Sequence, residues 1–344
     1  MEDNKRLIIK VCELYYDKNK TYTQIGKLLK VSRFKVSRLI KEGRRKGIIN
    51  IVITDNYNNE NLILEQQLEK TFGINMATVI NNNNLPLIEL RKKIGYEASK
   101  FINEILNDGD IICLTNGYTV NGIGDFIIKK KKVTDIKIVE SNGESIITKF
   151  DYSCREISKK FAKIYNTAPY IINAPIIVDS KELRDNLLKQ AGIKRTISLF
   201  DKVNILIFSV GNFYPKITRS IIDACDFSKQ DFLELYNLKA AGNIMSYYFD
   251  INGNFLSTSF NDRLICFPKE KISNIPYTLA VVFGFEKRYA LLGALRSKVI
   301  KFLIVDDILA KEVLNLSNLR KEDYDKTIEN DKDFLNYING TVTD

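Results

Sequence analysis

From residue 76 onward the chain alternates short, unbroken apolar runs with longer amphipathic stretches, and few folds accept that pattern. Met76–Ile80 reads as a strand and Leu87–Leu106 as a helix. Ile111-Ile-Cys-Leu-Thr115 reads as a strand followed by a helix to about Lys130. Further strands are predicted around Ile136–Val139, Tyr170–Ile172, Val203–Val210, Leu279–Phe283 and Val299–Val305, the last after a helix over Lys287–Leu295. A strand that is apolar along its whole length is buried on both faces, as in a parallel sheet covered by helices. Strands that alternate with helices supply those helices. The expectation is an open, mostly parallel α/β sheet.

In such sheets ligands bind beyond the carboxyl ends of the strands. Those ends here are polar and contain glycine: Thr115-Asn-Gly-Tyr-Thr119, Asn142-Gly-Glu-Ser145, Ser209-Val-Gly-Asn212 and Gly284-Phe-Glu-Lys287. Backbone N–H groups at helix starts favour anions such as phosphate, and Thr119 and Lys287 would add a hydroxyl and a positive charge.

Ahead of this region the pattern is helical. Leu7, Ile8, Val11, Leu14 and Tyr15 share a face within residues 5–16, and Ile25, Leu28 and Leu29 share one within a segment for which Thr23 is the expected N-cap. Ser32 caps a third helix, Arg33 to about Lys46, with Val36, Leu39, Ile40 and Gly43 on one face and Phe34, Ser37, Arg38, Lys41 and Arg45 opposite. A short helix, a tight turn and a helix with a basic outer face make a helix-turn-helix. Ile48–Ile53 would follow as a strand forming a wing. Residues 1–55 hold 14 Lys+Arg against 6 Asp+Glu, a net of +8, out of +10 for all 344 residues. A localised excess is the footprint of a polyanion site. Arg33 and Arg38 suit guanine edges or phosphate, Phe34 suits thymine methyls, and Thr23, Ser32, Lys35, Ser37 and Lys41 complete the candidate DNA-facing set.

Between the two regions, Leu62, Leu64, Leu68 and Phe72 mark a linker helix, which could pack on the large domain or against a second chain. The organisation expected is 1–55 for DNA binding, 56–72 as linker, 73–318 as effector and oligomerisation domain, and 319–344 as a charged tail with a short helix at Asp333–Ile338.

The chain has no histidine and no tryptophan, which excludes histidine-based triads, bases and metal ligands. The five cysteines (12, 113, 154, 225 and 266) form no CxxC pair and read as buried thiols. No metal and no cofactor are expected. The N-terminus MEDNKRLIIKV has no long apolar stretch, and no run reaches membrane-spanning length, so a cytoplasmic protein without a membrane contact is expected.

The run from Tyr22 through Ser32-Arg-Phe-Lys-Val-Ser-Arg38 to Lys41, followed by Gly47-Ile-Ile-Asn-Ile, resembles the N-terminal signature of the SorC family of sugar-responsive bacterial transcription regulators. Gly117-Tyr-Thr119, Asn173-Ala-Pro-Ile176, Val210-Gly211, Ala241-Gly-Asn243, Gly284-x-x-Lys287 and Ala294-Leu through Asp306-Asp307 are similar to that family's effector domain. The resemblance implies a winged helix-turn-helix followed by a Rossmann-like domain related to phosphosugar isomerases. It implies binding of a phosphorylated sugar, and a homodimer or homotetramer on a double-stranded DNA operator near a carbohydrate-utilisation operon. The effector set would be Asn116, Gly117, Tyr118, Thr119, Gly143, Glu144, Gly211, Asn243 and Lys287. Asn243 stands where the family usually has aspartate, and Tyr118, Phe283 and Phe285 would narrow the pocket. Two other readings stay open at this point. One is a DNA-binding regulator with an altered or vestigial pocket. The other is a phosphosugar-isomerase-type enzyme using Glu144, Asp306 or Asp307, against which stands the lack of any carboxylate pair tied to a nucleophile.

Overall fold

The computed structural model describes residues 2–49, 59–127, 133–144, 152–217 and 227–341, and the chain divides into two compact units, Met1–Asn59 and Glu60–Asp344.

The small unit is three helices: α1 (Glu2–Tyr16), α2 (Tyr22–Leu29) and α3 (Arg33–Arg45). Ile8, Val11, Leu14, Ile25, Val36, Leu39 and Ile40 are its buried core, as the helical periodicity selects on α1 and α3, while on α2 Leu29 is only partly buried and Leu28 is exposed. Gly43 lets α1 and α3 close up, because a Cβ there would stand 2.9 Å from the Cys12 sulfur. The turn between α2 and α3 is equally tight. Lys30 turns the chain in the left-handed conformation at φ 52°, and a Cβ on Gly26 would lie 2.7 Å from the Val31 carbonyl oxygen. The N-cap of α2 is Thr21, not Thr23. Thr21 Oγ1 accepts from the Gln24 N–H at 3.3 Å and Gln24 Oε1 accepts from the Thr21 N–H at 2.9 Å, a reciprocal capping box. The expected strand over Ile48–Ile53 lies, beyond Ile49, outside the described residues.

The large unit is built on strands β1 (Met76–Ile80), β2 (Ile111–Leu114), β3 (Lys137–Glu140), β4 (Pro169–Tyr170), β5 (Ile205–Phe208), β6 (Gly211–Asn212), β7 (Gly242–Ile244), β8 (Tyr247–Phe249), β9 (Tyr277–Val282) and β10 (Phe302–Asp306). Seven of them form one sheet in the order β1-β10-β9-β5-β2-β3-β4, parallel at every ladder. In β5, Ile205 and Ile207 face one buried cluster and Leu206 and Phe208 the other. That two-sided burial is why the strand carries no polar residue. β6, β7 and β8 form a small antiparallel sheet that the strand-helix alternation did not reveal.

The helices in order are α4 (Asn59–Phe72), α5 (Leu87–Ile105), α6 (Tyr118–Ile123), α7 (Cys154–Ile164), α8 (Lys181–Leu188), α9 (Ala191–Ile197), α10 (Lys229–Asn237), α11 (Arg288–Arg296), α12 (Asp307–Asn315), α13 (Lys321–Asn330) and α14 (Lys332–Thr341). Of the two placements open for the linker helix, packing on the large unit is the one observed. Leu64, Leu68 and Phe72 of α4 are buried in its core, and α4 also closes the free edge of β1. Glu69 Oε1 accepts from the Ala77 N–H at 3.0 Å, Glu65 Oε1 accepts from the Val79 N–H at 2.8 Å, and the Asn61 amide donates to the Val79 carbonyl at 3.0 Å. An exposed strand edge invites pairing with other chains, and three polar side chains of one helix occupy this one.

The C-terminal segment differs from expectation. Instead of a weakly patterned tail with one short helix, residues 321–341 form α13 and α14. Tyr324, Ile328, Phe334 and Ile338 bury themselves in the core of the large unit at i, i+4 spacing.

Candidate functional site

In the small unit, Arg33, Phe34, Lys35, Arg38 and Lys41 are exposed on α3, Ser37 is half-buried, and Thr23 is exposed on the first turn of α2. Ser32 Oγ accepts the Lys35 N–H at 3.2 Å, so it caps the helix and keeps its O–H to donate outward. Phe34 is 80% exposed at the second residue of α3, with the Arg33 guanidinium 5.9 Å from its ring. A phenylalanine left this open stabilises nothing in the free protein and gains about 25 cal/mol per Å² once covered. The structure also sorts the basic residues. Arg44 is tied to the Tyr16 hydroxyl at 2.7 and 3.1 Å, and Lys46 pairs with Glu42 at 2.7 Å. Arg33, Lys35, Arg38 and Lys41 make no ion pair among the described residues. Unpaired cations along the first turns of a helix, whose N-terminus is itself positive, attract phosphate.

In the large unit the chain runs β2→β3→β4 in one direction across the sheet and β5→β9→β10 in the other, so the order reverses between β2 and β5. A reversal of this kind opens a crevice at the carboxyl ends. Gly211 opens β6 just past β5 and pairs with Asn243 of β7. Asn243 is 6% exposed, and its Nδ2 is buried with no hydrogen-bond partner. A donor left in that state costs about 1–3 kcal/mol. Lys287 ends the 3-10 turn Phe285–Lys287 beyond β9, and its Nζ reaches Ser209 Oγ at 3.4 Å. It has no ion pair among the described residues. The residue as a whole is half-buried, and burial lowers its pKa to about 8 against the raising pull of Glu286. Gly211 and Asn243 thus pair across β6 and β7, and the turn that carries Lys287 packs against β6 with its ammonium on Ser209.

Asn116, Gly117, Tyr118 and Thr119 stand at the end of the adjacent β2. Gly117 has φ 133°, a conformation that calls for glycine, and starts α6. Its N–H, however, is already given to the Tyr152 carbonyl at 3.0 Å. The amides left over for an anion are those of Tyr118 and Thr119, which have no acceptor within the helix. Thr119 is buried, and Asn116 and Tyr118 are half-buried. Tyr118 carries the Arg91 guanidinium 3.9 Å over its ring, and Arg91 Nε donates to the Tyr118 carbonyl at 2.9 Å. Sequence reading missed Arg91, because a residue one turn into a distant helix gives no local signal.

Gly143 and Glu144 belong to a different structure. Gly143 donates its N–H to the Ile265 carbonyl and Glu144 to that of Ala174, at 2.9 and 2.7 Å. A Cβ on Gly143 would meet two carbonyl oxygens at 2.5 Å. The Glu144 carboxylate pairs with Arg155 at 2.8 Å, and Arg155 also lies 3.4 Å from Glu140. Burial raises Glu140 to about 7, against the pull of the Ile172 N–H and Arg155. These two positions hold the loop beyond β3 in place with groups that are already occupied. Gly284 is similar, its N–H donated to Asp306 Oδ2 at 2.9 Å. Phe283 is buried in the core, while Phe285 is 48% exposed with Arg288 over its ring. A cavity of about 510 Å³ lies elsewhere, between the start of β3, the edge strand β4 and α9; it contains none of the expected effector set, although Asn173 of the family-like motif lines it. The crevice is favoured by the strand reversal, by Lys287 set against Ser209, and by the Asn243 amide nitrogen, buried without a hydrogen-bond partner among the described residues.

Residues 46–315 match the family described as "Putative sugar-binding domain". The chain is 27% identical over 313 residues to the sorbitol operon regulator of Klebsiella pneumoniae, covering 91% of this chain and 98% of that one. It is 25% identical over 313 residues to the deoxyribonucleoside regulator of Bacillus subtilis, with the same coverage. The crystal structure of the full-length sorbitol operon regulator SorC from Klebsiella pneumoniae superposes with a TM-score of 0.69 at 26% identity, over 90% of this chain and 98% of that one.

Proposed function

The chain belongs to the family defined by this sugar-binding domain, the SorC family of transcription regulators, and from that premise we propose that it is a DNA-binding regulator controlled by a phosphorylated sugar. The unit 1–59 binds an operator through α3, with Arg33 and Arg38 at base edges or phosphate, Phe34 against thymine methyls, and Lys35 and Lys41 on phosphates. Ser32, Ser37 and Thr23 add hydroxyl contacts to the backbone. The unit from residue 60 holds the effector at the crevice. The assembly is a homodimer or homotetramer in the cytoplasm, acting on a carbohydrate-utilisation operon. Among the described residues no helix is long and apolar enough to cross a membrane.

One observation carries the effector reading. Lys287, which makes no ion pair among the described residues although the Glu286 carboxylate acts on it, reaches Ser209 at the point where the strand order reverses, on a turn packed against β6, the strand that pairs with Asn243. Holding a cation closely surrounded by protein is costly; burial outweighs the favourable pull of Glu286, and an anionic ligand would add charge of the stabilising sign. The hydroxyls of a sugar would meet the Asn243 amide, and its phosphate would meet Lys287 and the first-turn amides of α6. The relatives named above are regulators rather than enzymes, and the crevice pairs no carboxylate with a nucleophile among the described residues, so the chain is read as a non-enzyme.

Calorimetric titration of the protein with inorganic phosphate, an aldose phosphate and a ketose phosphate tests this. One of them should bind, and Lys287→Met should abolish that binding while operator binding persists. Retention of full affinity in Lys287→Met would assign the anion elsewhere.

A further inference from the structure

The family match stops at residue 315, yet the chain continues into α13 and α14, whose side chains pack into the core of the large unit. Their target is the segment that leaves β6. Phe334 stacks edge-on against Phe213 and Tyr214 at 5.5 and 5.0 Å between ring centroids, and Tyr324 does so against Tyr214 at 6.1 Å. The Tyr324 hydroxyl donates to the Ala240 carbonyl at 3.0 Å, next to the β7 strand that carries Asn243. Asp331, between the two helices, uses both oxygens. Oδ1 accepts from the Phe334 N–H at 2.9 Å and caps α14, and Oδ2 accepts from the Tyr214 hydroxyl at 3.0 Å.

We propose that these two C-terminal helices are a positioning element of the effector site, and that the Tyr214–Asp331 hydrogen bond fixes β6 against β7 and so sets the placement of Gly211 and Asn243. The argument is mechanical. β6 is two residues long, and Phe213 adds one more bond, its N–H to the Ala241 carbonyl at 3.2 Å. A ladder that short does not hold its own register. The helix α11 covers one side of it, where a Cβ on Gly242 would meet the Ala290 Cβ at 2.6 Å. Within the sugar-binding domain Phe213 also meets the Tyr248 ring and Tyr214 the Tyr289 ring, and α13 and α14 add restraint from residues downstream of it. Tyr214 touches no ligand in this account; it acts through Phe213 and β6. Burial and the Asp331 carboxylate together hold its phenol up at about 12, so the hydroxyl stays a donor throughout the physiological range.

The proposal rests on the effector reading for its function but not for its test. Tyr214→Phe and Asp331→Ser each remove the bond in the full-length protein, the serine keeping an oxygen to cap α14 but being too short to reach Tyr214. Without any ligand, amide exchange at Gly211–Phe213 and Gly242–Ile244 should be about tenfold faster in both variants, the loss expected of one hydrogen bond to a charged group. Exchange at Ile111–Leu114 should be unchanged. The double variant should lose no more than either single one, since the two residues act as a pair. Unchanged exchange at β6 and β7, or an equal rise at β2, overturns the proposal. The affinity for the phosphate or sugar phosphate that the wild type takes up should also fall about tenfold, with operator binding in its absence unaffected. Faster exchange with undiminished affinity overturns the link to the effector. If the wild type takes up none of the three probes, the effector reading fails, and the exchange comparison still decides whether the helices position β6.

Discussion

The basic residues of the small unit are chemically similar but differ in what already holds them. Arg44 is bound to Tyr16 and Lys46 to Glu42, whereas Arg33, Arg38, Lys35 and Lys41, on one helix, make no ion pair among the described residues. Arg38→Ala should weaken operator binding by about 1–3 kcal/mol and relax specificity at one or two base pairs. Lys41→Ala should instead weaken binding to all sequences alike and reduce the salt slope by about one. Binding isotherms over a salt series separate the two, and a uniform effect of Arg38→Ala would place that residue on phosphate. In the large unit, the single-residue question is Lys287. With its pKa lowered to about 8, it loses its charge as the pH is raised through that value. Affinity for a phosphate ligand should therefore decline above about pH 8, and Lys287→Met should remove that dependence. The stability sign is the reverse. The unfolded chain holds the proton up to the ordinary lysine range near 10.5, so stability rises with pH between about 8 and 10.5, a slope that Lys287→Met should flatten.

Elements were legible in the sequence where hydrophobic period alone decides them. β1 falls at the expected Met76–Ile80, and α1 and α3 show the expected buried faces, because i, i+3, i+4 patterning in a short helix leaves little freedom. Of the face expected on α2 only Ile25 is buried, Leu29 being half-buried and Leu28 59% exposed. Three features were not legible, for different reasons. The Thr21-x-x-Gln24 capping box was present in the sequence, but Thr23 stood nearer the apolar residues. The sheet β6-β7-β8 is made of two- and three-residue strands whose pairing depends on contacts far along the chain. α13 and α14 carry apolar pairs at i, i+4 within charged surroundings, so their burial becomes evident only when the large unit is there to receive them. Site residues divide in the same way. Polar strand ends are recognisable as such, but whether an amide is free or already bonded, as in Gly117 and Gly143, is set by tertiary contacts. Two predictions belong to this scale. Gly26→Ala forces a Cβ to within 2.7 Å of the Val31 oxygen, and overpacking against backbone should cost about 1–3 kcal/mol, seen as a lower melting transition for the helix-turn-helix unit. Glu65→Leu leaves the Val79 N–H of the β1 edge without its acceptor, at a similar cost of about 1–3 kcal/mol, whereas Glu65→Gln keeps the acceptor and should be close to neutral in denaturant unfolding.

For the whole molecule, the account is one of linkage between two compact units, one presenting unpaired cations and an exposed phenylalanine, the other an unpaired cation in a crevice. A ligand alters operator affinity only if it binds the DNA-competent and incompetent states differently, and the coupling is reciprocal. The most direct measurement is binding of the full-length protein to the DNA upstream of its own coding sequence, at fixed salt, with and without phosphorylated sugars. The account predicts specific binding that one sugar phosphate shifts by about 5–150-fold, the usual span of such coupling, with the shift lost in Lys287→Met. Specific binding that no sugar phosphate alters, in a protein that binds none of them, would contradict it.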